Sequence, residues 1–162
     1  RWRGTTKLFN TWNLELSSQP TQGNNIFASR VAGLTWKEPA WVGLNGWYSS
    51  DYRKRIAIDI GGWFGGGPVY RDWKEKTIRI APRIRINDRF MVKYVWKIIQ
   101  KSNERGWVDV LQDSLSTLES SSISLFGQRD NTERTQVLNV DYTFNNRMSL
   151  SARVRHSWSQ VR

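Results

Sequence analysis

The chain has 162 residues, no cysteine, one histidine and a formal net charge of +11, which excludes thiol chemistry, disulfide frameworks and most catalytic triads and metal clusters. Its 10 Trp, 5 Tyr and 6 Phe stand where Leu and Ala usually fill a soluble core, and such an excess marks a membrane interface as readily as a core. No run reaches the roughly 18 consecutive apolar residues of a spanning helix and no signal peptide opens the chain, so it is soluble, spans as strands, or is cut from a longer precursor.

The first segment runs from Trp2 to about Ser18, with Leu8, Trp12, Leu14 and Leu16 on even positions and Arg3, Lys7, Asn13 and Glu15 on odd ones. Such alternation predicts a strand with one apolar and one polar face. Gln19 to Glu38 carries Pro20, Gly23, Asn24-Asn25 and Gly33, with Pro39 just beyond, and no sustained alternation; a long connection is expected there. Ala40 to Tyr48 is the next strand, with Val42, Leu44, Gly46 and Tyr48 on the even face but Trp41 and Trp47 on the odd one, and Ser49-Ser50-Asp51 predicts a short turn. From Arg53 the chain returns through Ile56, Ile58, Ile60 and Phe64, alternating with Arg55, Asp59 and Trp63. Gly65-Gly66-Gly67-Pro68 to Asp72 reads as a flexible loop, since it has neither the following helix nor the Gly-Lys-Ser/Thr ending of a phosphate site.

Lys76 to Gln100 is the clearest stretch. Ile78, Ile80, Ile84 and Ile86 oppose Arg79, Arg83 and Arg85; after the Asn87-Asp88 turn, Phe90, Val92, Tyr94, Trp96 and Ile98 oppose Lys93 and Lys97. Pro82 cannot donate to a ladder, so a bulge or locally broken pairing is expected at it. Lys101 to Gly106 predicts a polar loop, and Trp107 to Leu111 alternates briefly before a Ser-rich interval through Ser122. Leu138, Val140, Tyr142 and Phe144 then alternate with Asn139, Asp141 and Thr143, and after Asn145-Asn146 the last strand sets Met148, Leu150, Ala152, Val154 and Trp158 against Arg147, Ser149, Arg153 and Arg155.

Alternation alone does not say which face is inside: a soluble sandwich buries the apolar face, whereas an outer-membrane barrel turns it to lipid. Short turns at one end of the sheet and longer loops at the other, with aromatics near strand ends, favour the barrel. The expected fold is therefore all-β, an antiparallel transmembrane β-barrel or part of its wall, with roughly eight strands. Leu14, Ile56, Ile58, Ile60, Ile78, Ile80, Ile84, Val92, Val140, Leu150 and Val154 are expected to face lipid. Tyr48, Phe64, Phe90, Trp96, Phe144 and Trp158 are expected at the interfaces. Arg55, Arg79, Arg83, Arg85, Lys93, Lys97, Arg153 and Arg155 would line the lumen, with Glu15, Asp59 and Asp141 as charge-balancing partners there. Their field would favour anionic solutes or hold an acidic plug, or be no more than a solvated wall. His156 is expected to be interfacial or hydrogen-bonded, and no catalytic residue, metal site or cofactor is expected.

Several blocks carry a resemblance: Pro39-Ala40-Trp41, Gly46-Trp47-Tyr48-Ser49-Ser50-Asp51-Tyr52-Arg53-Lys54, Ala81-Pro82-Arg83-Ile84-Arg85, Leu125-Phe126-Gly127-Gln128-Arg129-Asp130, Tyr142-Thr143-Phe144-Asn145-Asn146-Arg147-Met148-Ser149-Leu150 and Arg153-Val154-Arg155-His156-Ser157-Trp158-Ser159. Together they resemble an uncharacterised outer-membrane β-barrel family of Bacteroidota-type bacteria, a domain of unknown function that usually follows a domain similar to family-9 carbohydrate-binding modules. Ser157 stands where an aromatic is expected. Family barrels are longer than this chain, so the resemblance implies that residues 1–162 are one barrel segment, part of a longer barrel in the bacterial outer membrane. It implies location and architecture, not chemistry.

The expected function is non-enzymatic: a conduit, or an anchor in a cell-surface assembly. Outer-membrane lipid, other envelope proteins or the remainder of the barrel would be its partners. The alternative is a soluble aromatic-rich β domain binding carbohydrate or single-stranded nucleic acid. Nucleic acid is not expected, because most strand aromatics share the aliphatic face, with Trp41, Trp47 and Trp63 the exceptions, and a sugar-binding module is expected no more than that.

Overall fold

The computed structural model describes residues 1–67, 73–112 and 122–162; most of the Ser-rich interval and the end of the Gly-rich loop lie outside the described residues. Ten strands are formed among the described residues: β1 Trp2–Thr5, β2 Thr11–Gln19, β3 Gly23–Asn25, β4 Trp36–Glu38, β5 Trp41–Ser49, β6 Ile56–Gly66, β7 Lys74–Asn87, β8 Phe90–Gln112, β9 Ser122–Asn145 and β10 Met148–Val161. Eight of them make one antiparallel meander, β1-β2-β5-β6-β7-β8-β9-β10, and β3-β4 is a separate two-stranded ribbon. The chain is thus all-β and antiparallel. Among the described residues no ladder joins β1 to β10, so the sheet is open.

A meander sends successive connections to opposite ends. The turns at 6–10, 50–55, 88–89 and 146–147 gather at one end, and the 20–40 connection lies at the other, with the strand ends at Gly66, Lys74, Gln112 and Ser122. Three of the short turns are closed by the same local device, a carboxylate or amide oxygen accepting from the backbone N–H two residues on: Asp51 from Arg53 at 3.0 Å, Asn87 from Arg89 at 2.9 Å and Asn145 from Arg147 at 2.9 Å.

The predicted first strand is in fact a hairpin. Thr6 to Asn10 turns the chain, closed by Thr6 N donating to Asn10 O at 2.8 Å, with Phe9 in the left-handed region at φ 60. The predicted loop at Lys101 to Gly106 is continuous strand. Asn103, at φ 56, lies within a register shift between Lys101 and Glu104, and a second shift follows between Trp107 and Asp109. Each inserts one residue and reverses which parity faces which side. Pro82 pairs with Ile58 of β6, but neither it nor Ala81 has a partner on β8, and the register is the same on both sides of the gap. The pairing is locally broken without a bulge. Gly65 and Gly66, read as loop, close β6.

Burial is inverted relative to a soluble sheet. Many apolar side chains of the even face are exposed, as at Ile56 (69%), Leu150 (58%) and Val154 (66%), while Ala57, Asp59, Ala81 and Val137 on the odd face are each under 10% exposed. Among the described residues no second layer of chain covers the apolar face, and no helix is long and apolar enough to cross a membrane.

Candidate functional site

The odd face is organised in cross-strand rows. Trp47, Gly61, Arg79, Lys97, Thr135 and Ser157 form one row from β5 to β10; Ala57, Arg83, Lys93, Asn139 and Arg153 form another. Strands about 4.8 Å apart bring these side chains into reach of one another. Arg79, Lys93, Lys97, Arg153 and Arg155 consequently line a single groove of about 650 Å³ in which Asp141 is the one carboxylate among the described residues. Like charges this close raise a positive potential that water and anions must offset.

Two of the guanidinium groups are held by aromatic rings rather than by acids. Arg79 Cζ lies 5.0 Å from the Trp47 ring centroid, and Arg83 Cζ 4.3 Å from that of Tyr52. Arg79 Nη1 and Arg83 Nε are buried and make no hydrogen bond among the described residues. Donors in that state leave unspent capacity for an acceptor brought from outside.

The predicted carboxylates do not pair with one another. Asp59, 3% exposed, accepts from Ser49 Oγ at 2.9 Å and from the Tyr52 hydroxyl, and Ser49 Oγ in turn accepts from Trp47 Nε1 at 2.8 Å. Burial, then the hydrogen bond to Asp59, pushes the Tyr52 pKa up. Asp141 accepts from Ser151 Oγ at 2.7 Å, and Glu15 faces Arg1 at 3.8 Å. Arg55 lies in the β5–β6 turn, where its carbonyl accepts from Arg85 N at 2.7 Å; both side chains are exposed. Arg55 therefore stands outside the groove. His156 is exposed on edge strand β10, paired with Gln136.

On the even face, Leu14, Ile56, Ile60, Ile84, Leu150 and Val154 are exposed, and Ile58, Ile78, Ile80, Val92 and Val140 are half-buried by their neighbours. At the short-turn end, Phe90 meets Tyr142 edge-on at 6.0 Å and Tyr142 meets Phe144 at 4.7 Å. Toward the other end, Lys76 Nζ lies 6.0 Å from the Phe64 ring and Arg134 Cζ 4.7 Å from the Trp158 ring. Phe64 shares its row with polar Lys76, Gln100, Thr132 and Gln160 on one side and with apolar Leu44 and Leu16 on the other. Tyr48 and Trp96, both expected at the interfaces, share one row through Ile60 and Ile80.

Sequence reasoning missed a second concavity, at the end of the long connections. Trp36, Glu38, Trp41, Trp63, Trp73 and Glu75 line a cavity of about 620 Å³ there, together with residues from the far half of β8. The signal was present as an irregularity: Trp41 and Trp63 break the facing rule, and Trp63 sits among glycines.

Fold and faces together define a class: an open antiparallel β-meander with exposed apolar side chains on one side and a cationic groove with buried polar atoms on the other. Residues 1–162 match a family described as a domain of unknown function (DUF5916), and the chain belongs to that family. No curated protein and no solved structure matches it.

Proposed function

We propose that this chain is a wall of an outer-membrane β-barrel, its even face toward lipid and its odd face toward the barrel interior, acting without enzymatic chemistry as a conduit or as an anchor in a surface assembly. The observation that carries the reading is the inverted burial: Ile56, Leu150 and Val154 are bare, while Asp59 is enclosed and Arg79 and Arg83 hold buried polar atoms. A water-soluble sheet would expose large apolar area at about 25 cal/mol per Å²; a bilayer removes that cost. Cations beside Phe64 and Trp158 at the polar edge of the apolar band suit an interface, where long basic side chains reach toward water. From Met148 to Trp158 is about ten steps of ~3.3 Å, which a tilt of ~40° reduces to roughly 25 Å, the height of a lipid-facing band.

A nucleic-acid reading fares worse. Phe64, Phe90, Phe144 and Trp158 lie on the face opposite the cationic groove, so bases stacked on them would carry their phosphates away from it.

The test is site-directed spin labelling at positions 58, 80 and 150 in lipid vesicles. Labels should be relaxed by lipid-dissolved oxygen and shielded from a water-soluble quencher, whereas labels at 79 and 97 should show the reverse. The opposite pattern overturns the orientation.

A further inference from the structure

The connection between β2 and β5 reaches across the sheet to the part of the β8–β9 hairpin that projects beyond the other strands. Trp36 stacks on Phe126 with ring centroids 3.9 Å apart, the Arg30 guanidinium lies 4.3 Å from the Trp107 centroid, and Ser124 Oγ donates to Ser29 O at 2.7 Å. Ser29, 2% exposed, ties the connection to itself by donating to Leu34 O at 2.7 Å. These contacts hold a strap over one end of the sheet, and the cavity of about 620 Å³ lies between strap and strands. Its size falls within the roughly 300–1,000 Å³ of small-molecule sites.

The floor of that cavity is an indole laid flat. A Cβ on Gly43 would collide with the Trp63 ring, and one on Gly65 would stand 2.9 Å from it. The ring can rest on the backbone of both strands only because those positions are glycine. One indole face is thereby spent on the sheet, and the ring lines the cavity. Trp41 stands edge-on to it, with centroids 5.8 Å apart and planes at 72°, and is fixed by its Nε1 donating to Gln19 Oε1 at 3.2 Å.

The rim carries both signs. Glu38, positioned by Asn25 Nδ2 at 2.7 Å, Glu75 and Glu104 supply acceptors, and Arg105 supplies donors. Glu104 is offset by Lys101 at 2.7 Å and Arg129 at 3.1 Å, so Glu38 and Glu75 are the carboxylates that disfavour an anion; the guanidinium disfavours a simple ammonium, and charged groups around the mouth disfavour a purely apolar guest. A flat aromatic floor beneath mixed donors and acceptors matches a neutral ring with C–H groups on its face and hydroxyls around its edge.

We propose that this cavity is a saccharide-binding site, in which a pyranose stacks on Trp63 against the edge of Trp41 and its hydroxyls bond to Glu38, Glu75 and Arg105. The site does not depend on the membrane reading. Within that reading, it lies at the long-connection end, away from the short turns.

The test is titration of the detergent-solubilised chain with cellotriose, maltotriose and chitotriose in parallel, followed by intrinsic Trp fluorescence and calorimetry. At least one trisaccharide should bind saturably and protect Trp63 from N-bromosuccinimide oxidation in the unmodified protein. Trp63→Ala should weaken that binding at least about tenfold and Glu75→Gln by a smaller factor, while Trp158→Ala on the opposite face leaves it unchanged. Should Trp63→Ala fail to fold, the oxidation protection and the conservative Glu75→Gln variant still decide. No saturable binding to any of the three, tighter binding of choline than of sugars, or equal losses in Trp63→Ala and Trp158→Ala overturns the proposal. Because the spin-label pattern is read independently, either idea can fail while the other stands.

Discussion

Trp47 and Arg79 meet across Gly61: the three share one cross-strand row, and the guanidinium carbon sits 5.0 Å from the ring centroid. A Cβ at Gly61 would stand 2.6 Å from Trp47 Cε3, so the missing side chain is what lets the indole lean toward β7. The same construction, a Trp resting on a glycine, recurs at Trp63.

Gly61→Val should therefore push Trp47 off its place and destabilise the sheet by about 1–3 kcal/mol. In a double-mutant cycle with Trp47→Ala most of that loss should disappear, because the clash needs both side chains. Urea unfolding in detergent reads the coupling; additive losses would mean that the glycine matters for another reason.

On the apolar face, Ile58→Arg or Ile80→Arg should cost roughly 2–4 kcal/mol in lipid vesicles if these positions sit near mid-bilayer. Arg155→Ser, on the opposite face and exposed, should stay within about 0.5 kcal/mol. Equal and small effects from all three substitutions would contradict lipid facing.

The projecting hairpin carries its own pH signature. Burial alone would push Glu104 up, but its hydrogen bonds with Lys101 at 2.7 Å and Arg129 at 3.1 Å hold its pKa below the usual carboxylate range; the bond to Glu104 raises Lys101. A depressed carboxylate pKa stabilises the fold above the group's ordinary value and loses that contribution as pH falls through the folded one. The raised lysine pKa contributes below its ordinary value and is lost as pH rises through the folded one. Glu104→Gln should thus speed amide exchange around Trp107 and Gly127 at pH 7, by an opening energy of about 1–2 kcal/mol. That difference from the parent protein should shrink toward pH 3.

In the cationic groove, the rows of Lys93 and Lys97 flank the Val95–Val137–Arg155 row, with Arg153 in the first and Arg79 in the second. If the intact protein encloses an open path, bilayer recordings should show anion preference that weakens with salt, and the Lys93→Glu, Lys97→Glu double variant should lose or invert it. If a partner or plug fills the path, conductance is negligible and the double variant instead sheds that partner or melts lower. No change in conductance, retention or melting would reduce these cations to a solvated wall.

Edges make a further prediction. β10 is exposed at every position and, like β1, has a ladder partner on one side alone among the described residues. Unpaired edges beside a bare apolar face promote association. Expressed without detergent, the chain should elute as aggregate, and a monodisperse monomer with a cooperative melt would contradict the inverted-sheet reading.

Period-2 alternation by itself determined a large part of this protein. The strands from Val42 to Phe64, from Ile78 to Ile98 and from Leu138 to Trp158, their faces, and the gathering of short turns at one end all follow from where Ile, Arg, Lys and Asn fall, because a pleated strand points successive side chains to opposite sides. What escaped had no local period. The Thr6 to Asn10 turn lacks Gly and Pro, and the β8 segment through Ser102 and Asn103 reads as a loop because one inserted residue reverses the parity on which such a reading depends. Only the tertiary structure decided that Arg79 and Arg83 lean on Trp47 and Tyr52 rather than on acids. It alone placed Trp36, from a stretch with no pattern, against Phe126, and spread Trp63 over glycines of two strands. Those contacts join residues far apart in the chain, and they depend on register and on the path of a connection, which alternation does not encode.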